Sequence, residues 1–301
     1  MMMTVFDRRS VRRHRDRAAI GFVAHDFLLT EVTTRLVDRL DDVKREFRRV
    51  LDIGAHVGML RDKIEKRPGT KFVIASDLSP AMARECNGAA LAADDEALPF
   101  AEGAFDLIVS SLSLHWVNDL PGSLIQIRRA LRPDGLFLAA LLGGDTLFEL
   151  RDVLVEAELE VDNGASPRIS PFLDVREGGA LLQRTGFALP VVDSDTITVT
   201  WPDALALMRD LRGMGEANAV IERNKAFTGR ETLFNAVARY QERYGNTEGR
   251  IPATFQVIYL TGWAPHANQQ QALQRGTATS RLADALDVTE VSTGEKILPN
   301  S

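Results

Sequence analysis

The chain has 301 residues, 45% of them hydrophobic and 26% charged, which suits one large globular domain or two small ones. Its net charge of −6 disfavours a general nucleic-acid binder, because neutralising phosphates requires a basic surface. The single cysteine, Cys86, excludes an intrachain disulfide and indicates a reducing compartment. The longest apolar run, 136–142, falls short of the roughly 20 residues that span a bilayer, so we expect no membrane span.

The N-terminal segment is rich in arginine. Transit peptides share this property, but aspartates interrupt the run and no apolar segment follows it. We therefore predict a basic arm that belongs to the mature protein, followed by one or two helices between residues 22 and 47, where apolar residues recur at helical spacing. This N-terminal segment covers 1–48, and its arginines are Arg8, Arg9, Arg12, Arg13, Arg15 and Arg17.

From residue 49 onward, strands alternate with helices. The pattern predicts strands at 49–53, 71–76, 90–93, 105–110 and 136–142, with helices at 59–66, 80–86 and 121–131. Such alternation is typical of a parallel sheet with right-handed crossovers and helices on both faces.

The later chain departs from this alternation. It predicts helices at 146–160, 175–185, 202–212 and 231–244, and strands at 190–201 and 253–263. We therefore expect an α/β fold with a seven-stranded, mostly parallel sheet spanning 49–265. The helices before the last strand form an insertion at about 202–250 that is placed to cover the sheet's carboxyl edge as a lid. Polar and small residues from 266 to 301 indicate a flexible tail.

The stretch LDIGAHVG at 51–58 follows the first predicted strand, where open α/β sheets bind nucleotides. A dinucleotide turn needs Gly-x-Gly-x-x-Gly, of which only Gly54 is present, so NAD is disfavoured. The acid-x-Gly-x-Gly-x-Gly pattern of adenosylmethionine enzymes is matched by Asp52, Gly54 and Gly58. His56 replaces its middle glycine. If that position needs positive φ, histidine is among the better-tolerated alternatives.

Acidic residues follow the second and third predicted strands. Asp77 is placed to accept hydrogen bonds from ribose hydroxyls, although it could instead cap the helix that begins near Ser79-Pro80. Asp94 and Asp95 lie where a carboxylate can accept the exocyclic amine of an adenine. Alone, an acidic loop is usually only solvated, so this assignment depends on the others.

Further candidates follow the fourth and fifth strands. The run from Ser110 to Trp116 brings His115 and an aromatic ring to the place where substrate would meet cofactor, although a lone histidine is more often structural. After the fifth strand, two glycines precede Asp145 and permit close approach of a ligand, or only shape the turn.

Together these motifs resemble, in their order over 49–142, the class I S-adenosyl-L-methionine-dependent methyltransferases, which have a Rossmann-like fold. The resemblance implies a cofactor site that also includes His56 and Ser110. Its other members are Asp52, Gly54, Gly58, Asp77, Leu78, Asp94 and Asp95.

A narrower resemblance covers almost the whole chain. The runs SSLSLHWVNDL (110–120), GGDTLFELR (143–151), DLRGMGEAN (210–218) and PATFQVIYLTGW (252–263) are similar to the mitochondrial complex I assembly-factor family, whose human member is implicated as an arginine hydroxylase. The chain is similar, less closely, to malonyl-acyl-carrier-protein O-methyltransferase. These resemblances imply a bacterial, cytoplasmic protein that acts on a protein substrate, such as a complex I subunit, or on a carrier-bound one.

Three functions stay open. Methyl transfer needs alignment rather than a universal catalytic side chain; an amine or guanidine acceptor would also need a base, for which His115, Asp145 and Tyr259 are candidates. Hydroxylation commonly uses a two-histidine, one-carboxylate iron site. The only His-x-Asp spacing we noted, at His14 and Asp16, lies in the arginine-rich arm, so we predict no metal site and hydroxylation depends on resemblance. The third function is that of a non-catalytic assembly chaperone.

Overall fold

The computed structural model describes residues 4–161, 164–269 and 280–289, and the chain forms two compact units, Met1–His266 and Ala267–Ser301. The strands of the first unit are β1 (Arg49–Ile53), β2 (Phe72–Asp77), β3 (Ala90–Ala92), β4 (Phe105–Ser111), β5 (Leu131–Leu142), β6 (Ala188–Trp201) and β7 (Ile251–Trp263). Its helices are α1 (Arg8–Ala18), α2 (Phe27–Asp41), α3 (Met59–Glu65), α4 (Pro80–Glu85), α5 (Leu120–Ala130), α6 (Phe148–Val161), α7 (Val175–Arg184), α8 (Ala204–Gly213) and α9 (Arg230–Tyr244).

The strands form one seven-stranded sheet in the order β3-β2-β1-β4-β5-β7-β6. Strands β1 to β5 are parallel, and β7 pairs antiparallel with both β5 and β6. The strand order reverses beside β1, which lies between β2 and β4. In open α/β sheets this switch point is where ligands bind, at the carboxyl ends of the strands. The predicted mostly parallel, seven-stranded architecture is confirmed.

The sheet is buried on both faces. Along β1, Val50 packs with α2 residues on one face, whereas Leu51 and Ile53 pack with α5 residues on the other. Every residue of β4 is buried, which explains its continuous apolar run. Residues of α2 and of the predicted lid belong to the same apolar cluster as the first face, so the N-terminal helices are part of this core.

The segment predicted as a basic arm contains a regular helix, α1, which carries all six of its arginines. Asp7 caps α1, since its side chain accepts a hydrogen bond from the Ser10 backbone amide. The helix turns Val11, Arg15 and Ala18 inward. Apolar periodicity could not predict this helix, because an arginine occupies one of its buried positions.

The segment between β6 and β7 forms two helices, α8 and α9, as predicted for the insertion at about 202–250. Tyr240 of α9 is fully buried, and its hydroxyl donates a hydrogen bond of 2.8 Å to the Pro252 carbonyl at the start of β7. Arg243 of α9 donates to Glu156 of α6. The helices therefore pack firmly onto the sheet and onto α6.

In the second unit, residues 280–289 contain one short helix, α10 (Leu282–Leu286). The rest of the predicted tail beyond residue 269 lies outside the described residues. None of the helices in the described ranges combines the length and the apolar character needed to cross a bilayer.

Candidate functional site

The turn from β1 into α3 has three residues with positive φ at alternate positions. Gly54 has φ of 65°, His56 of 50° and Gly58 of 87°. The middle position thus demands the left-handed conformation that glycine adopts freely and histidine tolerates better than most residues. The positive φ that was considered for position 56 from the sequence is therefore confirmed.

His56 fixes this turn to the neighbouring strands. Its backbone amide donates to Asp77 Oδ2 at 3.0 Å, and its Nε2 lies 3.2 Å from the carbonyl oxygens of Ser111 and Leu112. Two carbonyl acceptors require Nε2 to carry the proton. The ring also stacks on Phe22, with centroids 5.5 Å apart. Burial lowers the pKa of His56 to about 4, so the imidazole is neutral at pH 7.

Asp52 and Ser110 support the turn from beneath. Asp52 Oδ2 accepts from the Arg61 backbone amide in α3, while its Oδ1 is buried and has no hydrogen-bond partner among the described residues. Burial raises the pKa of Asp52 to about 8. Ser110 donates at 2.8 Å to the Ile53 carbonyl, so its hydroxyl joins β4 to β1.

Asp77 ends β2, and the helix cap that follows is a different residue. Ser79 caps α4, because its hydroxyl accepts from the Met82 amide, while Asp77 Oδ1 accepts from the Ser79 amide. The residue that caps α4 is therefore Ser79 and not Asp77. Asp77 is fully buried and directs Oδ2 toward the glycine turn, where the His56 amide contacts it.

Arg15 of α1 also reaches this carboxylate. Its Nη1 lies 3.2 Å from Asp77 Oδ2, and its Nη2 donates to Ser113 Oγ at 3.0 Å. Arg15 is only 1% exposed. Ser113 in turn fills the space above Gly54, where an added Cβ would lie 1.9 Å from its hydroxyl oxygen. The guanidinium and this hydroxyl therefore cover the glycine turn.

A second arginine of α1 neutralises the acidic loop after β3. Arg8 donates to Asp94 Oδ1 at 2.7 Å, and its Nη2 lies 3.7 Å from Asp95. Asp95 is buried; one of its oxygens accepts from Ser113, and the other has no partner among the described residues. Leu78 packs partly buried in a small apolar cluster that includes Trp116.

The side chains at this edge of the sheet have the chemical groups that adenosylmethionine binding requires. Asp52 and Asp95 each keep a buried oxygen without a donor among the described residues, which suits a ligand that supplies hydroxyl and amine donors. The cavity that borders His56 is small, with a volume of about 20 Å³, enough for about one water molecule. Arg15 already contacts Asp77 Oδ2, so a ribose hydroxyl that bound this oxygen would compete with the guanidinium.

A larger cavity of about 380 Å³ lies between α8 and the ends of β5 and β7. Its walls are mostly apolar, with Trp116, Phe172 and Phe255 among them. Four residues border both this cavity and the small one beside His56: Leu28, Leu142, Met214 and Glu216. The large cavity therefore adjoins the glycine turn, which is where an acceptor would need to be.

The three catalytic candidates do not come together. The His115 Nε2 lies 3.0 Å from Glu216 Oε2, at the junction of the two cavities. Asp145 lies exposed in the turn after β5, and Tyr259 is buried within the sheet with Arg39 stacked 3.5 Å over its ring. None of the three lines the large cavity. Within the described ranges, no group of three His, Cys, Asp or Glu side chains could hold a metal ion.

The sequence did not single out Arg15, Ser113 or Glu216. Arg15 and Asp77 are 62 positions apart in the chain, and Glu216 and His115 are 101 positions apart. Only the fold brings such pairs together. The one local signal was that Glu216 lies in the run DLRGMGEAN, which was used for the family resemblance.

The sheet order, the glycine turn and its carboxylates define a class I methyltransferase-type protein. Consistent with this, residues 51–139 match a methyltransferase domain. The chain is 43% identical to zebrafish (Danio rerio) mitochondrial arginine-hydroxylase NDUFAF5 over 94% of its own length and 89% of that protein. The chain belongs to this family.

Two further proteins extend the comparison. The chain is 38% identical to the malonyl-[acyl-carrier protein] O-methyltransferase of Xylella fastidiosa, over 88% of this chain and 90% of that protein. The structure superposes with a TM-score of 0.53 on phosphoethanolamine N-methyltransferase 2 of Haemonchus contortus in complex with S-adenosyl-L-methionine. That likeness covers 85% of this chain and 60% of that chain at 15% identity, so it shows the fold alone.

Proposed function

We propose that this protein binds S-adenosylmethionine at the carboxyl ends of β1 to β3 and acts as a methyltransferase on a protein-borne or carrier-borne acceptor. The observation that carries the proposal is the ring of buried carboxylates around a left-handed glycine turn that directly adjoins an apolar cavity. The relative named malonyl-[acyl-carrier protein] O-methyltransferase supports the same chemistry.

Each residue has a defined task in this proposal. Asp77 accepts hydrogen bonds from the ribose hydroxyls. Asp94 and Asp95 accept hydrogen bonds from the adenine amine, and Leu78 lies beside the adenine ring. Gly54 and Gly58 allow close approach of the backbone, and the neutral His56 keeps the turn attached to β2 and β4. When bound, the cofactor supplies an activated methyl group on a sulfonium.

The cavity of about 380 Å³, which we assign to the acceptor, contributes to catalysis by positioning the acceptor. Its apolar walls exclude water and hold the acceptor beside the turn, so that alignment rather than a strong base accounts for the rate. Of the three candidates for proton removal, His115 is the one that contacts Glu216, which borders both cavities. Asp145 and Tyr259 have no such position, and we do not assign them a catalytic task.

Arginine hydroxylation is the second candidate, favoured by the 43% identity to arginine-hydroxylase NDUFAF5. In that case the client is a protein arginine, such as one of a complex I subunit, and the cofactor serves another role. A third outcome is a chaperone that binds the cofactor without transferring a group.

Mass spectrometry of substrates incubated with the protein, S-adenosylmethionine, dioxygen and a two-electron reductant separates these outcomes, because hydroxylation takes one oxygen atom from dioxygen and reduces the other to water. We would use a recombinant complex I subunit and malonyl-loaded acyl carrier protein as acceptors. The proposal predicts that one acceptor gains the mass of one methylene group. A gain of one oxygen atom would replace methylation by hydroxylation. Unchanged masses in both acceptors, with cofactor binding intact, would contradict an enzyme and favour the chaperone.

A further inference from the structure

Glu216 is placed by the way α8 ends. Met214 caps the helix, Gly215 follows with φ of 80°, and its amide donates to the Arg212 carbonyl. The Glu216 amide donates to the Leu211 carbonyl at 2.9 Å. This pair of hydrogen bonds is a Schellman motif, which fixes the backbone at a helix end. The direction of Glu216 is therefore built into the fold.

The carboxylate of Glu216 is anchored on one oxygen only. Both the His115 imidazole, at 3.0 Å, and the Trp116 indole nitrogen, at 2.9 Å, contact Oε2. No described residue donates a hydrogen bond to Oε1. Burial alone would raise the pKa of Glu216, but the charges of His115 and Arg15 hold it below its usual value. The side chain is an ionised carboxylate with one oxygen available.

This carboxylate marks the junction of the two cavities. Glu216 borders both the 380 Å³ cavity and the small cavity beside His56, and its side chain is only 11% exposed. Among the described residues that line the two cavities, it is the single carboxylate. An acceptor that extends from the large cavity toward the glycine turn therefore comes close to this carboxylate.

The arginines of the large cavity do not offset this charge at the junction. Arg168 is paired with Glu158, and Arg223 donates to Ser10 and to the Val220 carbonyl. Arg212 is exposed. All three line the large cavity, and none lines the small one. An anionic group that approached the turn would therefore meet a desolvated carboxylate, whereas a cationic group would find a partner.

We propose that Glu216 is the specificity-determining residue for the acceptor: its Oε1 accepts a hydrogen bond from the guanidinium of an arginine side chain whose methylene stem lies along the apolar wall. The inference rests on the proposed function and names its substrate class. It favours a protein arginine over the malonyl carboxylate. Guanidinium suits the site because it combines a delocalised charge with several donors in one plane.

Titration calorimetry with small probes tests this inference directly. The probes are N-acetyl-arginine amide, its neutral isostere N-acetyl-citrulline amide, and the anion malonamate, added to wild type and to Glu216→Gln. Glutamine keeps an oxygen that can accept from His115 and Trp116, so thermal unfolding should stay similar. Wild type should bind the arginine probe best, and Glu216→Gln should lose about 10- to 100-fold of that affinity. The exposed Glu231→Gln on α9 is the matched control.

Discrimination between the arginine and citrulline probes separates recognition from mere packing. Glu216→Asp keeps the charge and should retain a preference for arginine, whereas Glu216→Gln should lose it. Equal affinity of wild type and Glu216→Gln for the arginine probe, no arginine binding by wild type, or tighter binding of malonamate would overturn the inference. Titration of S-adenosylhomocysteine into the same proteins reports on the cofactor site alone. Absence of S-adenosylhomocysteine binding would contradict the proposed function, whereas the role of Glu216 in recognition is tested by the arginine probe.

Discussion

At the middle position of the glycine turn, a histidine provides contacts that a glycine would lack. Its ring hydrogen-bonds to the ends of β4 and stacks on Phe22, while its backbone accepts the left-handed conformation. The side chain points away from the turn into a buried pocket, because its Nε2 contacts the Ser111 and Leu112 carbonyls. A departure from the glycine pattern is thus compatible with the fold.

His56 should make stability depend on pH in a defined window. Its folded pKa of about 4 is below the unfolded value of 6.5, so its contribution is fully present above pH 6.5 and is lost as pH falls toward 4. His56→Asn tolerates positive φ but does not titrate. The unfolding free energy of wild type relative to this variant should fall by about 3 kcal/mol between pH 7 and pH 4.

Denaturant unfolding at a series of pH values measures this difference. Asp52 titrates in the opposite sense, since burial raises its pKa, but it is present in both proteins and cancels in the comparison. A difference that does not change with pH would show that His56 is not a buried neutral imidazole.

Sequence patterns indicated candidate carboxylates but not their partners. Asp52 and Asp77 lie at the carboxyl ends of β1 and β2, and Asp95 follows β3, so their places relative to the predicted strands singled them out. Arg15 could not, because the pattern of an arginine-rich helix does not reveal which arginine is buried. Apart from its place in the run DLRGMGEAN, Glu216 had no signal in the sequence, because its partners His115 and Trp116 lie about 100 positions away in the short helical turn after β4.

Among the elements, α1 governs access to the glycine turn. It supplies both Arg15 to Asp77 and Arg8 to Asp94, and Asp16 accepts from the Ser79 hydroxyl at 2.5 Å. Three side chains of α1 thus contact the end of β2 and the segments that follow β2 and β3. A ribose hydroxyl bound at Asp77 would compete with Arg15, so we expect the position of α1 and the affinity for cofactor to be coupled.

Arg15→Met tests this coupling because methionine preserves bulk and removes the charge. Asp77 would remain buried without its counter-charge, so the unfolding free energy should fall by about 3 kcal/mol. Affinity for S-adenosylhomocysteine should rise, because the competing guanidinium is gone. Arg17→Met, at an exposed position of the same helix, should change neither quantity. Weaker cofactor binding by Arg15→Met would instead make Arg15 a cofactor contact.

At the scale of the whole molecule, the sheet could be predicted from the sequence, whereas the cavity beside the glycine turn could not. The alternation of strands and helices predicted the sheet and the place of its switch point, because buried parallel strands have apolar runs that the sequence displays directly. The boundaries of β5 and β7 extended beyond prediction at Leu131 and Ile251. The cavity and its junction with the turn depend on packing between α2, α8 and the sheet, which no single segment encodes.

Titration of S-adenosylhomocysteine into the wild-type protein tests whether the carboxyl ends of β1 to β3 form the cofactor site. We expect saturable binding at one site, and loss of that binding in Asp77→Asn, because the ribose would lose its carboxylate. Thermal unfolding of Asp77→Asn checks that the variant remains folded. Absence of binding by the wild-type protein at millimolar ligand would show that this edge of the sheet is not a cofactor site.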